Sequence, residues 1–81
     1  MTTETFFVTG VQEQRTKKYG VTRFDVFVRR PDEALSRLVL STCNDYCGQL
    51  CYMAAEAKQP LAISWTDGPW GYELMDCAVK Q

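Results

Sequence analysis

Hydrophobic and polar residues alternate along most of this chain, with the period of two that is typical of β-strands. The alternation predicts strands over residues 5–12, 21–29, 35–41, 60–65 and 72–80. In the first of these, Gly10 breaks the alternation between Val8 and Val11, which predicts a bulge or a sharp bend. In the last, the pattern predicts one face with Tyr72, Leu74 and Ala78 and another with Met75, Cys77 and Val79.

The segment 21–29 has the clearest strand pattern because it is rich in β-branched and aromatic residues. One side of the predicted strand, expected to face the core, carries Phe24, Val26 and Val28. The other side, expected to face outward, carries Arg23, Asp25, Phe27 and Arg29.

Residues 44–58 change to the period of a helix, with Cys47, Leu50, Cys51 and Ala54 on one face. Thr42 is the predicted N-cap, and Pro60 ends the helix. Segments rich in polar and turn-forming residues separate the remaining elements and predict connections at 13–20, 30–34 and 66–71.

The predicted order is strand, strand, strand, helix, strand, strand. This order, the glycine in the first strand and the position of the helix resemble the OB-fold, the oligonucleotide- and oligosaccharide-binding superfamily. The resemblance is architectural and spans the whole chain. It implies a mainly β domain with one helix, a small five-stranded Greek-key barrel over residues 1–81. It also implies a ligand surface on strands two and three, flanked by the loops that join strands one to two and four to five.

The composition is that of one globular domain: 46% of the 81 residues are hydrophobic and the formal net charge is −1. No apolar run approaches the length of a membrane-spanning helix, which is about 20 residues. The first residues do not combine a basic start with an apolar stretch, as a secretory signal would. We therefore expect a cytoplasmic location.

Motifs for catalysis are not evident in the sequence. Histidine, the commonest general base, does not occur, and neither a phosphate-binding loop nor a nucleophile elbow is found. We expect a protein that is not an enzyme and that uses no cofactor or metal. The cysteines Cys43, Cys47 and Cys51 recur every four residues, as in one stripe of a helix. We interpret them, with Cys77, as buried structural thiols; metal binding or redox chemistry is the alternative.

Positive charge is concentrated in residues 15–30, which hold six of the nine Lys and Arg residues and a single acid, Asp25. Aromatic residues are interleaved with these bases, as in proteins that contact phosphates with cations and stack bases on rings. Combined with the surface that the OB-fold resemblance implies, this pattern predicts a site for single-stranded DNA or RNA. The predicted nucleic-acid-binding residues are Arg15, Lys17, Lys18, Tyr19, Arg23, Phe27, Arg29 and Trp70.

Two acids, Asp25 and Asp67, fall within this surface and oppose a phosphate backbone. The alternative hypothesis is a protein–protein interaction module, either a homodimer or an accessory or inhibitor subunit of the kind that a phage or mobile element encodes. In that case the basic surface would bind an acidic protein. A third interpretation is that the lysines and arginines are only solvated.

Overall fold

The computed structural model describes residues 2–15, 20–33, 38–69 and 71–79. Its elements, in chain order, are β1 (Thr2–Arg15), β2 (Thr22–Arg29), β3 (Leu38–Thr42), α1 (Asp45–Ala57), β4 (Pro60–Gly68) and β5 (Gly71–Val79). The strands form a closed barrel in the order β1-β2-β3-β5-β4, and β4 pairs with β1. All neighbours are antiparallel except β3 and β5, which are parallel. The predicted element order and the mainly β class are confirmed, and the barrel is consistent with an OB-like fold.

The core fills the barrel with side chains from every strand and from one side of α1. Fully buried large side chains include Phe6, Phe24, Val26, Val28, Leu40, Leu61 and Ile63. Phe24, Val26 and Val28 are buried and Phe27 is exposed, as predicted for the second strand, but Asp25 on the outward side is also buried, because Arg23 and Ser41 bond to its carboxylate. Alternation in β2 thus sets the side on which each residue lies, and contacts on the outward side decide how exposed it is.

The bulge predicted near Gly10 lies at Thr9. Val8 is opposite Val28 and Gly10 is opposite Phe27, so Thr9 is the additional residue in β1. The Thr9 hydroxyl donates a hydrogen bond to the Phe27 carbonyl oxygen at 3.1 Å. Because of this extra residue, Val8 and Val11 both pack against the core although they are three residues apart.

A second bulge, in β5, contradicts the faces predicted for the last strand. Trp65 is opposite Leu74 and Ser64 is opposite Asp76, so Met75 is the additional residue. Leu74 and Cys77 are therefore both buried, although strict alternation places them on opposite faces. The Asp76 carboxylate accepts a hydrogen bond from the Cys77 amide at 2.9 Å, within the bulged segment.

Helix α1 begins after Asn44, and the prediction of Thr42 as its N-cap is wrong. The Asn44 side-chain oxygen accepts hydrogen bonds from the amides of Tyr46 and Cys47. Thr42 belongs to β3, and its hydroxyl accepts a hydrogen bond from the Asn44 amide at 3.1 Å. Lys58 ends the helix in the left-handed conformation, with φ of 53°.

Several strands extend beyond their predicted bounds. β1 includes residues 13–15, and β4 continues to Gly68, so the connections predicted at 13–20 and 66–71 are shorter than expected. These polar residues continue the strands because their backbone groups pair with β2 and β5. Positions 35–37 and 80 of the predicted strands lie outside the described residues. None of the helical segments in the described ranges has the length and apolar character needed to cross a bilayer.

Glu4 links three elements at the surface of the barrel. Its two carboxylate oxygens accept hydrogen bonds from Arg30 Nε at 2.9 Å and from Arg30 Nη2 at 3.4 Å. The Trp65 indole N–H donates a further bond to Glu4 Oε2 at 2.9 Å. These interactions, led by the hydrogen bond from Arg30, lower the pKa of Glu4 below its ordinary value of 4.5.

We expect the substitution Glu4→Gln to destabilise the protein in a pH-dependent way. A lowered folded-state pKa gives stabilisation that is present above the unfolded value of 4.5 and is lost as pH falls through the folded value. At neutral pH the loss should be at most about 1 kcal/mol, as for other solvent-accessible ion pairs. Urea unfolding followed by tryptophan fluorescence at decreasing pH would measure it, with the exposed helical acid variant Glu56→Gln as control. If the difference in the free energy of unfolding between wild type and Glu4→Gln did not change with pH, the lowered pKa of Glu4 would be contradicted.

Candidate functional site

The outward side of β2 forms a continuous surface with its two neighbouring strands. In the ladder, Gly10 of β1 and Val39 of β3 are the partners of Phe27, and Phe7 is the partner of Arg29. The surface formed by these residues together with Arg23, Asp25 and Ser41 is called the β2 face below. It is the surface to which the OB-fold resemblance assigns ligand binding.

Phe27 is the central apolar residue of the β2 face. Its exposed fraction is 38%, and that of Val39 beside it is 41%. On the other side of Phe27, Gly10 offers no side chain; a Cβ atom there would lie 3.9 Å from Phe27 Cδ2, an ordinary contact distance. The ring therefore lies beside an open backbone position, in van der Waals contact range, and keeps an accessible surface on which a planar group can stack.

Arginine residues lie on both sides of Phe27 along β2. The Arg29 guanidinium lies over the Phe7 ring, 4.8 Å from its centroid, and donates a hydrogen bond to the Arg30 carbonyl oxygen at 3.4 Å. By the rise of a strand, Arg29 is about 7 Å and Arg23 about 13 Å from Phe27 along the chain. An extended polymer that follows β2 would pass a cation, a ring and a second cation.

Asp25 reduces the positive charge of this surface at one end. Both Nε and Nη2 of Arg23 lie 3.2 Å from Asp25 Oδ1. The Ser41 hydroxyl donates to the same oxygen at 3.0 Å and accepts from Arg23 Nη2 at 3.3 Å. Only 8% of Asp25 is exposed, so this acid holds the Arg23 guanidinium in a fixed position rather than presenting a carboxylate to solvent.

The predicted site residues fall into three groups. Arg23, Phe27 and Arg29 share the β2 face, as the alternation predicted. Arg15 lies at the exposed end of β1, opposite Thr22 in the ladder, so alternation directs it to the other side of the sheet from Arg23. The remaining predicted residues, Lys17, Lys18, Tyr19 and Trp70, lie outside the described residues.

A pocket that the sequence did not indicate adjoins the β2 face at the junction of β3 and β5. It has a volume of about 380 Å³ and is lined by Arg23, by residues 41–43 and by residues 71–74. We call it the seam pocket. The two parallel strands are joined there by one register pair, Ser41 with Glu73. Because these residues are more than thirty positions apart in the sequence and pair in parallel, no short sequence motif predicts the pocket.

The prediction of buried thiols is confirmed for Cys47, Cys51 and Cys77 and is wrong for Cys43. Cys43 precedes the helix and is exposed, whereas Cys47, Cys51 and Cys77 are buried in the core. Burial raises the pKa of the Cys47 thiol to about 12. The pKa of Cys77 is also raised, first by its hydrogen bond with Cys51 and then by burial. These two thiols stay protonated at neutral pH and pack as small apolar groups.

No metal site is evident in the part of the chain that the structure describes. Over residues 2–15, 20–33, 38–69 and 71–79, no three or more Cys, Asp or Glu side chains are arranged to hold a metal ion.

The fold and the site define the class: a small closed β-barrel with one helix, whose β2 face combines an accessible ring with arginines. Comparisons with protein-family models, with curated proteins and with solved structures found no match.

Proposed function

We propose that this protein is a non-catalytic module of the OB superfamily that binds single-stranded nucleic acid across the β2 face. The observation that supports this most directly is the exposure of Phe27 between Arg23 and Arg29, beside Gly10. A base stacked on such a ring contributes about 1–3 kcal/mol to binding, whichever base it is. Closure of the barrel in the order β1-β2-β3-β5-β4 supports the superfamily assignment.

Phosphate contacts in this proposal come from more than the β2 face. The ion pair with Asp25 offsets much of the charge of Arg23, whereas Arg29 contacts an aromatic ring and a carbonyl oxygen. Lys17 and Lys18 lie between β1 and β2 in the sequence and add two cations to the segment that leads into the face. Because few phosphates are neutralised, the affinity is expected to be modest and its decrease with salt concentration shallow.

The test is a titration of fluorescein-labelled oligo-dT of about 15 nucleotides, which exceeds most single OB sites of roughly 4–16 nucleotides. Anisotropy is expected to report binding at low salt. In a plot of the logarithm of the association constant against the logarithm of the salt concentration, each phosphate contact should contribute about −0.7 to the slope. Arg29→Gln should reduce both the affinity and the steepness of its salt dependence. Lys58→Gln, which removes a basic side chain at the end of the helix, should change neither. Absence of binding to oligo-dT and to oligo-U at low salt would overturn the proposal.

A second candidate, the protein-interaction module, is favoured by a different observation. Tyr46 and Met53 on α1 are 70% and 66% exposed and lie seven residues apart, so they share one side of the helix. Exposed apolar side chains on one side of a helix supply area that a protein partner can bury. Light scattering on the titration samples distinguishes the two candidates, since salt-insensitive dimers without oligonucleotide binding favour this second function.

A further inference from the structure

Two glutamine side chains extend the β2 face along β1. In the ladder, Gln12 is the partner of Asp25, and Gln14 is the partner of Arg23. Partners in an antiparallel ladder lie on the same side of the sheet, so both amides are on the outward side with Phe27. Both glutamines are exposed. The β2 face therefore continues over β1 as a neutral polar flank.

Gln12 is the closer of the two glutamines to the Phe27 ring. Gly10 is directly opposite Phe27, and Gln12 is the next residue of β1 on the outward side. Diagonal neighbours across an antiparallel pair are about 7–8 Å apart, which long side chains can bridge. No side chain at Gly10 blocks the way, and even a Cβ atom there would be 3.9 Å from the ring. A base stacked on Phe27 that extends toward β1 thus comes within reach of the Gln12 amide.

Two other neutral polar side chains near Phe27 already have hydrogen-bond partners. The Thr9 hydroxyl donates to the Phe27 carbonyl oxygen at 3.1 Å, and the Ser41 hydroxyl donates to Asp25 at 3.0 Å. Within the part of the chain that the structure describes, the side-chain amide of Gln12 makes no hydrogen bond. Its carbonyl oxygen and its two N–H groups are therefore available to a ligand.

Building on the proposed function, we propose that Gln12 binds the Watson–Crick edge of the base that stacks on Phe27. Each of the four bases presents at this edge an N–H donor directly beside an acceptor atom, such as N3–H beside O4 in thymine and N4–H beside N3 in cytosine. A carboxamide carries the complementary acceptor and donor, and rotation about its last bond matches either order. Gln12 therefore recognises an unpaired base without selecting one kind, at an edge that is commonly read in single strands.

The experiment compares oligo-dT with a strand of the same length in which every thymine carries a methyl group on N3, by competition against the labelled probe. The methyl group replaces the N3–H donor but leaves the ring and the phosphate charge. Every thymine is modified because the strand can slide past a single modified base. We expect the wild-type protein to prefer the unmodified strand about 3- to 10-fold, the effect of one or two neutral hydrogen bonds.

Gln12→Met tests the amide, because methionine has nearly the same length but neither the N–H groups nor the carbonyl oxygen. This variant should bind oligo-dT about 3- to 10-fold more weakly than wild type and should bind both strands equally, so that the preference falls to about one. Gln49→Met, the same change on the exposed side of α1, should keep the wild-type affinities and preference. The urea midpoints of both variants should stay close to wild type, since both positions are exposed.

Gln14→Met tests whether the effect belongs to Gln12 or to the neighbouring amide. Gln14 lies opposite Arg23, two residues farther along β1 from Gly10, so this variant should retain the preference for the unmodified strand. A preference lost in Gln14→Met and kept in Gln12→Met would overturn the assignment to Gln12.

The remaining outcomes separate this inference from the proposed function. A merely structural role for Gln12, such as support of Asp25 opposite it, would lower the affinities for both strands together and leave the preference unchanged. That result, or equal binding of both strands by the wild-type protein, overturns the role of Gln12 and leaves the nucleic-acid function standing. Failure of every oligonucleotide to bind overturns the proposed function and this inference with it.

Discussion

Gly48→Val is expected to lower the free energy of unfolding by about 1–3 kcal/mol. Gly48 is buried in α1 where the helix meets β2. A Cβ atom there would lie 2.7 Å from three ring atoms of Phe24, a side chain that is itself 2% exposed. The ring cannot move aside, because it is enclosed by the core and packs edge-on against Tyr52 with centroids 6.4 Å apart.

This cost is steric rather than a matter of helix propensity. Valine and glycine differ by only a few tenths of a kcal/mol in an exposed helix interior, roughly 0.5. Gln49→Val, on the exposed side of the same helix, is the matched control and should change stability by no more than about 0.5 kcal/mol. Urea unfolding followed by tryptophan fluorescence and far-ultraviolet circular dichroism would measure both variants.

A double variant tests whether Phe24 is the partner that Gly48 accommodates. Phe24→Leu removes ring atoms from the contact, so the effects of Gly48→Val and Phe24→Leu should be less than additive, by at least about 0.5 kcal/mol. Equal stability of Gly48→Val and Gln49→Val would show instead that the helix shifts to admit the new side chain without loss.

The barrel could be predicted because its signals are local. Alternation in 21–29 identified the buried and exposed sides of β2, and the glycine at position 10 indicated the bulge beside it. The bulge at Met75 left no comparable signal, since residues 72–79 contain no glycine or proline and the register is set by pairing with β4. The N-cap was misplaced because Thr42 and Asn44 are both good capping residues, and the pairing of β3 with β2 determines which one is free to cap.

The candidate site was predictable only where it follows one strand. Arg23, Phe27 and Arg29 lie on one strand and are separated by even numbers of residues, so alternation alone brings them to a common side. The neutralising role of Asp25 depends on Ser41 of another strand. The seam pocket requires the parallel contact of β3 with β5. Such long-range pairings are decided by closure of the barrel rather than by any short segment.

Phe27→Ala is expected to weaken binding of oligo-dT by about 1–3 kcal/mol, or roughly 5- to 150-fold. The ring is the accessible aromatic group at the centre of the β2 face, and its removal leaves Gly10, Val39 and an alanine, none of which can stack a base. The fold should tolerate this change with a loss of about 1 kcal/mol, since the side chain is 38% exposed and lies outside the core. Anisotropy titration at low salt gives the affinity, and urea unfolding confirms that the variant remains folded.

Two further variants separate stacking from simple apolar contact. Phe27→Leu keeps an apolar side chain but no ring, so it should bind nearly as weakly as Phe27→Ala, whereas Phe27→Trp should bind at least as tightly as wild type. Met53→Ala, which removes an even more exposed apolar side chain from α1, should leave the affinity unchanged. If Phe27→Leu bound as well as wild type, the ring would serve only as apolar surface. The protein-interaction function would then explain its exposure better, because a protein partner needs buried area rather than an aromatic plane.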